Sequence, residues 1–340
     1  MVDYVERAQR IADTVLFPAA REVDRTGRVP ASHFGTLADE GFYGLAAPAD
    51  AGGPGLEFGQ IVEILETLAG ACLTTTFTWM QHHGVVMGLA GTARDELRER
   101  YLAGAVSGAV KGGVAFAGAI PKPPRLWAER DGDGYVFDGE APFVSGWGVI
   151  DILQLTARHG DTVVHALVDP VAGPGLAVEE LDLVAAQGSN TVRLRFDGYR
   201  VPAGRVLAEV GFAEFSAGMI YGSRLNGCVA TGLAGRCARL LDGRGQAGVA
   251  AGLRAEQASA RAGLDAALAD PSAMPAARAA ASELAYRAAG LLVVAEGSAG
   301  ILTGAASAGH GQRLTREATF TLVAAGRPEI KTELLSLFGR

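Results

Sequence analysis

Few side chains in this sequence are spaced so that they could do chemistry, and each has a quieter structural alternative. His82 and His83 are adjacent, and imidazoles titrate near neutral pH. No HxxxH spacing or nearby cysteine accompanies them, which argues against a metal site. On a helix the pair reads more simply as a surface position and a satisfied core histidine. Arg224 opens a long alanine-rich segment. Its guanidinium could clamp a phosphate or carboxylate bidentately, or join two helices as an ion pair. Cys72, Cys228 and Cys237 make neither a disulfide framework nor a CxxC pattern. Cys228 and Cys237 would face opposite sides of one helix, so buried, unpaired thiols in a reducing compartment are expected.

The bulk composition narrows the setting. A chain of 340 residues can bury a sizeable core and is expected to divide into two or three packed parts. With 49% apolar and 20% charged residues it reads as ordered and globular. Net charge is −7, and no Lys/Arg cluster interleaves with aromatics, which argues against a nucleic-acid footprint. Charges within Met1 to Arg7 interrupt the apolar stretch that a signal peptide needs. The weakly polar run from Ala288 to Gly309 contains Glu296 and is diluted by Gly, Ala and Ser. A buried bundle helix followed by a glycine-rich turn is expected there rather than a membrane span. The expectation is a cytoplasmic protein with neither a membrane nor a nucleic-acid partner.

The elements that must position these residues change character twice along the chain. Val5, Ala8, Ala12, Val15 and Ala19 repeat at helical spacing, and further helices are predicted over His33 to Glu40 and Phe58 to Ala69. Thr92 with Asp95 three residues on resembles a helix start. After about Ser107 the period becomes that of strands, in 135–139, 152–156, 163–167 and 192–196, separated by Gly/Asp turns. Helical periodicity returns near Phe212, with breaks at Asp270-Pro271, Gly297 to Gly311, and Pro328. The predicted class is α+β: an N-terminal helical domain (1–106), a middle β-barrel or sandwich (107–208) and a C-terminal four-helix-bundle-like domain (209–340).

Ordered motifs make this arrangement specific. Gly41-Phe42-Tyr43-Gly44-Leu45 with Pro48 and Gly52-Gly53-Pro54-Gly55 is followed by Gly91-Thr92, Tyr101-Leu102 and Ser107-Gly108. Then come Gly134 to Gly139 with Phe143-Val144-Ser145-Gly146, and Gly188-Ser189-Asn190-Thr191 with Phe196-Asp197 and Val201-Pro202. In order and spacing this series resembles the acyl-CoA dehydrogenase family over nearly the whole chain. The resemblance implies FAD between the β-domain and the C-terminal helices. It also implies an acyl-CoA substrate and a dimer or tetramer, homomeric or paired with a catalytic homologue. It makes Phe116, Gly118, Phe143, Val144 and Ser145 candidate cofactor-binding residues and Arg224 a candidate substrate-binding residue. Phe143 and Ser145 would supply the aromatic and the hydroxyl of the flavin edge. Gly118 would permit close backbone approach in a segment that has lost the family's other hydroxyls and carboxylates. Trp147 and Asp151 are expected to support the strand.

The resemblance also exposes a gap. Abstraction of an α-proton from an acyl thioester needs a carboxylate within hydrogen-bond reach. Aligning Arg316-Glu317-Ala318 and Gly326 with the family's arginine-acid-alanine motif and its closing glycine puts Ala325 at the base position. The family's alternative position, just before the long helix's arginine, holds Ser223. Glu317 lies eight residues before Ala325, about 12 Å back along a helix. Glu329 lies beyond the Pro328 break and is the better of two poor substitutes. Three readings follow: a dehydrogenase-like flavoenzyme with a non-standard or partner-supplied base, a non-catalytic half of a heteromeric dehydrogenase, or a flavin monooxygenase of the same fold. The short length and empty base positions favour the second. Phe143-Val144-Ser145-Gly146 and a role for His82 or His83 near the flavin would favour the third.

Overall fold

The computed structural model describes residues 3–302 and 309–339. Its helices α1 (Tyr4–Ile11) and α2 (Phe17–Thr26) are joined without a break by a wider π-helical turn over Ala12–Leu16. Asp3 starts the run by accepting hydrogen bonds from the backbone N–H of Val5 and Glu6. The wide turn inserts one extra residue into the helical repeat. The buried stripe is therefore Ala8, Ile11, Ala12, Leu16, Ala20 and Val23, rotated from the predicted line through Val5, Val15 and Ala19. Next come α3 (Ala31–Asp39), α4 (Phe58–Ala71), α5 (Leu73–Met80), α6 (His82–Gly91) and α7 (Asp95–Ser107). Thr92 does not start α7. Its hydroxyl donates to the carbonyl of Leu207, tying the helical part to the strands.

Strands β1 (Gly112–Ala115), β2 (Leu126–Asp131), β3 (Gly134–Val144), β4 (Ile152–His159), β5 (Thr162–Val168), β6 (Leu176–Glu180), β7 (Val192–Val201) and β8 (Val206–Gly211) follow. The sheet runs β6-β7-β3-β2-β4-β5-β8, with β1 parallel to β4. Only one residue pair, Trp127 with Arg158, joins β2 to β4. The end strands β6 and β8 do not pair with each other, so the sheet is open and of the barrel-or-sandwich alternatives the sandwich is observed. Leu126, Phe137 and Leu194 from one half share a core with Leu153, Val164 and Ala166 from the other.

The chain then enters α8 (Phe212–Asp242), followed by α9 (Ala247–Ala266), α10 (Met274–Glu296), α11 (Gly311–Thr321) and α12 (Pro328–Phe338). Their alanines let helices approach closely, with Leu233, Leu253, Leu264, Leu284 and Leu314 filling the space between. At one close crossing α8 meets α4. A Cβ at Gly232 would lie 2.3 Å from the carbonyl oxygen of Glu66, and one at Gly70 would lie 2.5 Å from that of Gly232. Residues Pro271–Ile301 are long and apolar enough to cross a membrane by length and composition alone. Within the fold, α10 buries Ala281, Leu284, Ala285, Ala288 and Leu292 in the C-terminal core.

Candidate active site

The two residues expected at the base positions are linked through one arginine. Ser223 lies on α8, and Ala325 on the turn between α11 and α12, where its backbone adopts a positive φ of 48°. Between them stands Arg278 of α10, only 3% exposed. One terminal nitrogen donates to the carbonyl and the hydroxyl of Ser223 at 3.0 and 3.3 Å, and the other to the carbonyl of Ala324 at 3.3 Å. Its Nε is buried without a partner. Burial lowers the Arg278 pKa to about 10, and a second cation, Arg327, acts in the same direction. A guanidinium still charged at neutral pH therefore stands beside Ser223 and the turn that carries Ala325. Sequence reasoning missed Arg278, although a lone arginine within Ala276-Ala277-Arg278-Ala279-Ala280 was a visible signal.

The two substitute carboxylates stand in different settings. Glu317 is sealed in α11, and both of its oxygens accept from Nη1 of Arg313 at 2.8 Å. Burial lifts its carboxyl above the usual range against the pull of that arginine, but a group 2% exposed and held bidentately reaches no ligand. Glu329 is exposed on the first turn of α12. Arg224 is fully buried. Its Nε donates to Asp265 of α9 at 2.6 Å, its Nη1 reaches the Cys228 sulfur at 3.2 Å, and its Nη2 has no partner. The helix-joining ion pair is thus formed, with the Nη2 amino group to spare.

The five flavin-edge residues separate into one available group and four engaged ones. Phe143 sits at a register shift near the end of β3, with φ 53° and its ring 64% exposed. A non-glycine residue held there is strained, and the strain presents an aromatic face outward. Val144 is buried and paired with Val192. The Ser145 hydroxyl is 2.7 Å from that of Thr191, which is 2.7 Å from that of Ser189, so a buried hydroxyl chain has absorbed it. Gly118 does sit at a close approach, but to its own chain: a Cβ would lie 2.7 Å from the Glu140 carbonyl and 2.9 Å from Leu126 Cβ. Phe116 packs edge-on against His165 and Phe215. These five residues alone give a flavin ring one aromatic face and no free side-chain donor, which does not make a complete site. Asp151 supports the strand as expected, accepting from the Lys111 N–H at 2.7 Å.

The histidine pair corrects its expectation. His82 is the satisfied core residue, accepting at Nδ1 from the Gly112 N–H and reaching the Ala105 carbonyl with Nε2. His83 is not on the surface. Both ring nitrogens are buried without partners, its ring lies edge-on to Trp79, and burial pushes its pKa down to about 3. Among the described residues no His/Cys/Asp/Glu group could hold a metal.

Comparison with known proteins agrees with this architecture. Residues 3–109 match the family "Acyl-CoA dehydrogenase, N-terminal domain". The probable acyl-CoA dehydrogenase YngJ of Bacillus subtilis (strain 168) is 26% identical over 227 residues, which is 62% of this chain and 59% of that protein. The match therefore spans less than two thirds of that relative. The butyryl-CoA dehydrogenase of Megasphaera elsdenii superposes with a TM-score of 0.82 at 18% identity, covering 99% of this chain and 97% of that one. A glutaryl-CoA dehydrogenase of Mycobacterium smegmatis, solved in complex with FADH2, gives 0.81 at 16% identity, covering 99% and 94%. At those identities the superpositions speak for the fold. Residues 3–109 thus match the family's N-terminal domain, and the chain as a whole has the acyl-CoA dehydrogenase fold.

Proposed function

We propose that this chain works as the base-less component of a flavin-dependent acyl-CoA dehydrogenase assembly, in which a homologous partner supplies the carboxylate for α,β-desaturation of an acyl thioester. One observation carries the reading. Arg278 bridges Ser223 and the Ala324 carbonyl next to Ala325, so both base positions adjoin a buried cation rather than an acid. A guanidinium cannot accept a proton, and Arg278 has no carboxylate among its hydrogen-bond partners. The half-built flavin edge supports the same reading. An exposed, strained Phe143 beside an engaged Ser145 suits a cofactor shared with another chain. In that arrangement FAD would supply the redox chemistry, Phe143 would offer a ring face, and Arg278 would hold α8, α10 and the α11–α12 turn in place.

The test is expression of the chain alone and together with a homologue that carries a glutamate at either base position. The reading expects no bleaching of flavin absorbance by acyl-CoA with the chain alone. It expects bleaching and a stable complex with the homologue. Acyl-CoA bleaching by the chain alone would refute it.

A further inference from the structure

We propose that Thr76, Trp79 and His83 form a polar helix face that selects a ligand carrying a hydroxyl group over a purely hydrocarbon one. α5 and α6 run on through Gln81, whose backbone is helical, so residues 76, 79 and 83 share one side of a continuous helix. That side carries Thr76 Oγ1, Trp79 Nε1 and both ring nitrogens of His83, all buried without a hydrogen-bond partner among the described residues. The rings of Trp79 and His83 are 4.7 Å apart, so these atoms belong to one neighbourhood. A helical threonine commonly returns its hydroxyl to the carbonyl four residues back, as Thr78 does to Thr74 at 2.9 Å. Thr76 makes no such bond. Buried polar groups are nearly always paired, because each orphan costs free energy. Several on one face point to a partner supplied from outside the chain.

The chemistry of the three side chains fits a neutral group that both donates and accepts. Trp79 offers only a donor, and the Thr76 hydroxyl is both donor and acceptor. Burial keeps the His83 ring neutral, with one N–H to give and one nitrogen to accept. A carboxylate would find no cation on this face, and a hydrocarbon chain would leave every one of these atoms unpaired. The face also leads outward. Thr76 is 1% exposed, His83 9%, and Met87, one turn further along the same side, 59%. Met80 lies between Thr76 and His83 and is partly buried, and its unbranched side chain adapts to what packs on it. Gly84, next to His83, rests on β1: a Cβ there would lie 2.7 Å from Val114 and 3.8 Å from Phe116. The polar face therefore adjoins the segment that carries Phe116 and Gly118.

The inference rests on the proposed function only in taking the ligand to be an acyl thioester. Calorimetric titration of the full chain with butyryl-CoA, β-hydroxybutyryl-CoA and γ-hydroxybutyryl-CoA tests it. At least one hydroxylated thioester is expected to bind roughly tenfold tighter than butyryl-CoA, the ratio that one recovered hydrogen bond supports. His83→Leu and Thr76→Val are each expected to narrow that ratio. Both substitutions also remove orphaned polar atoms, so each should raise the urea midpoint of the ligand-free chain. Thr76→Val nearly keeps the shape of the side chain and remains informative should His83→Leu fail to fold. Equal affinity for the three thioesters, or binding of none, overturns the inference, as does a lowered urea midpoint for Thr76→Val. Flavin bleaching by the chain alone sinks the proposed function instead and leaves the affinity ratio standing.

Discussion

At Ser223 and Ala325 the chain carries a hydroxyl and a methyl, and the charged group beside them is Arg278. A carboxylate placed next to a buried guanidinium is held ionised and engaged, so restoring an acid need not restore a base. Ser223→Glu is accordingly expected to give no acyl-CoA turnover when the chain is alone, measured by single-turnover flavin bleaching. Arg278→Ala removes three hydrogen bonds from a buried position and is expected to cost about 2–4 kcal/mol in urea unfolding. The buried histidines set a pH dependence. Burial depresses His82 and His165 to about 4 and His83 and His310 to about 3, from 6.5. Each is neutral when folded and takes up a proton when unfolded below pH 6.5. Their contribution is therefore complete above that pH and is lost as pH falls toward 4. The slope is about 1.4 kcal/mol per pH unit for each group. Urea midpoints should drop across that window, and His82→Gln, which cannot titrate, should flatten the drop.

Among the elements, the α4–α8 crossing leaves no room for a side chain. The backbones meet at Gly70 and Gly232, so an added methyl has only carbonyl groups to push against. Gly232→Ala is expected to destabilise by about 3 kcal/mol, read as a lowered unfolding midpoint. Strands 152–156 and 163–167 were legible as short apolar runs between Gly/Asp turns, and they are observed within β4 and β5, buried on both faces. Short strands such as β1 and β6, with four and five residues, carry too little periodicity to register. The helical shift at Ala12–Leu16 was not legible, since no residue type demands a wide turn. The base positions were visible as absences. The cation between them was not, because Arg278 is far from Ser223 in sequence and only packing of α10 on α8 joins them.

For the whole molecule, the proposed function holds that a chain of this fold with Ser223, Ala325 and a bridging Arg278 takes its proton chemistry from a partner. The exposed Phe143 ring and the engaged Ser145 hydroxyl point the same way, toward a flavin completed by a second chain. Co-purification should therefore yield flavin in a complex with a base-bearing homologue, in about one copy per heterodimer if each site is shared. The most direct measurement is the visible absorbance of flavin-reconstituted chain, without any partner, on anaerobic addition of acyl-CoA. The account predicts that the oxidised flavin band remains unchanged. Rapid bleaching of that band by the chain alone would contradict it.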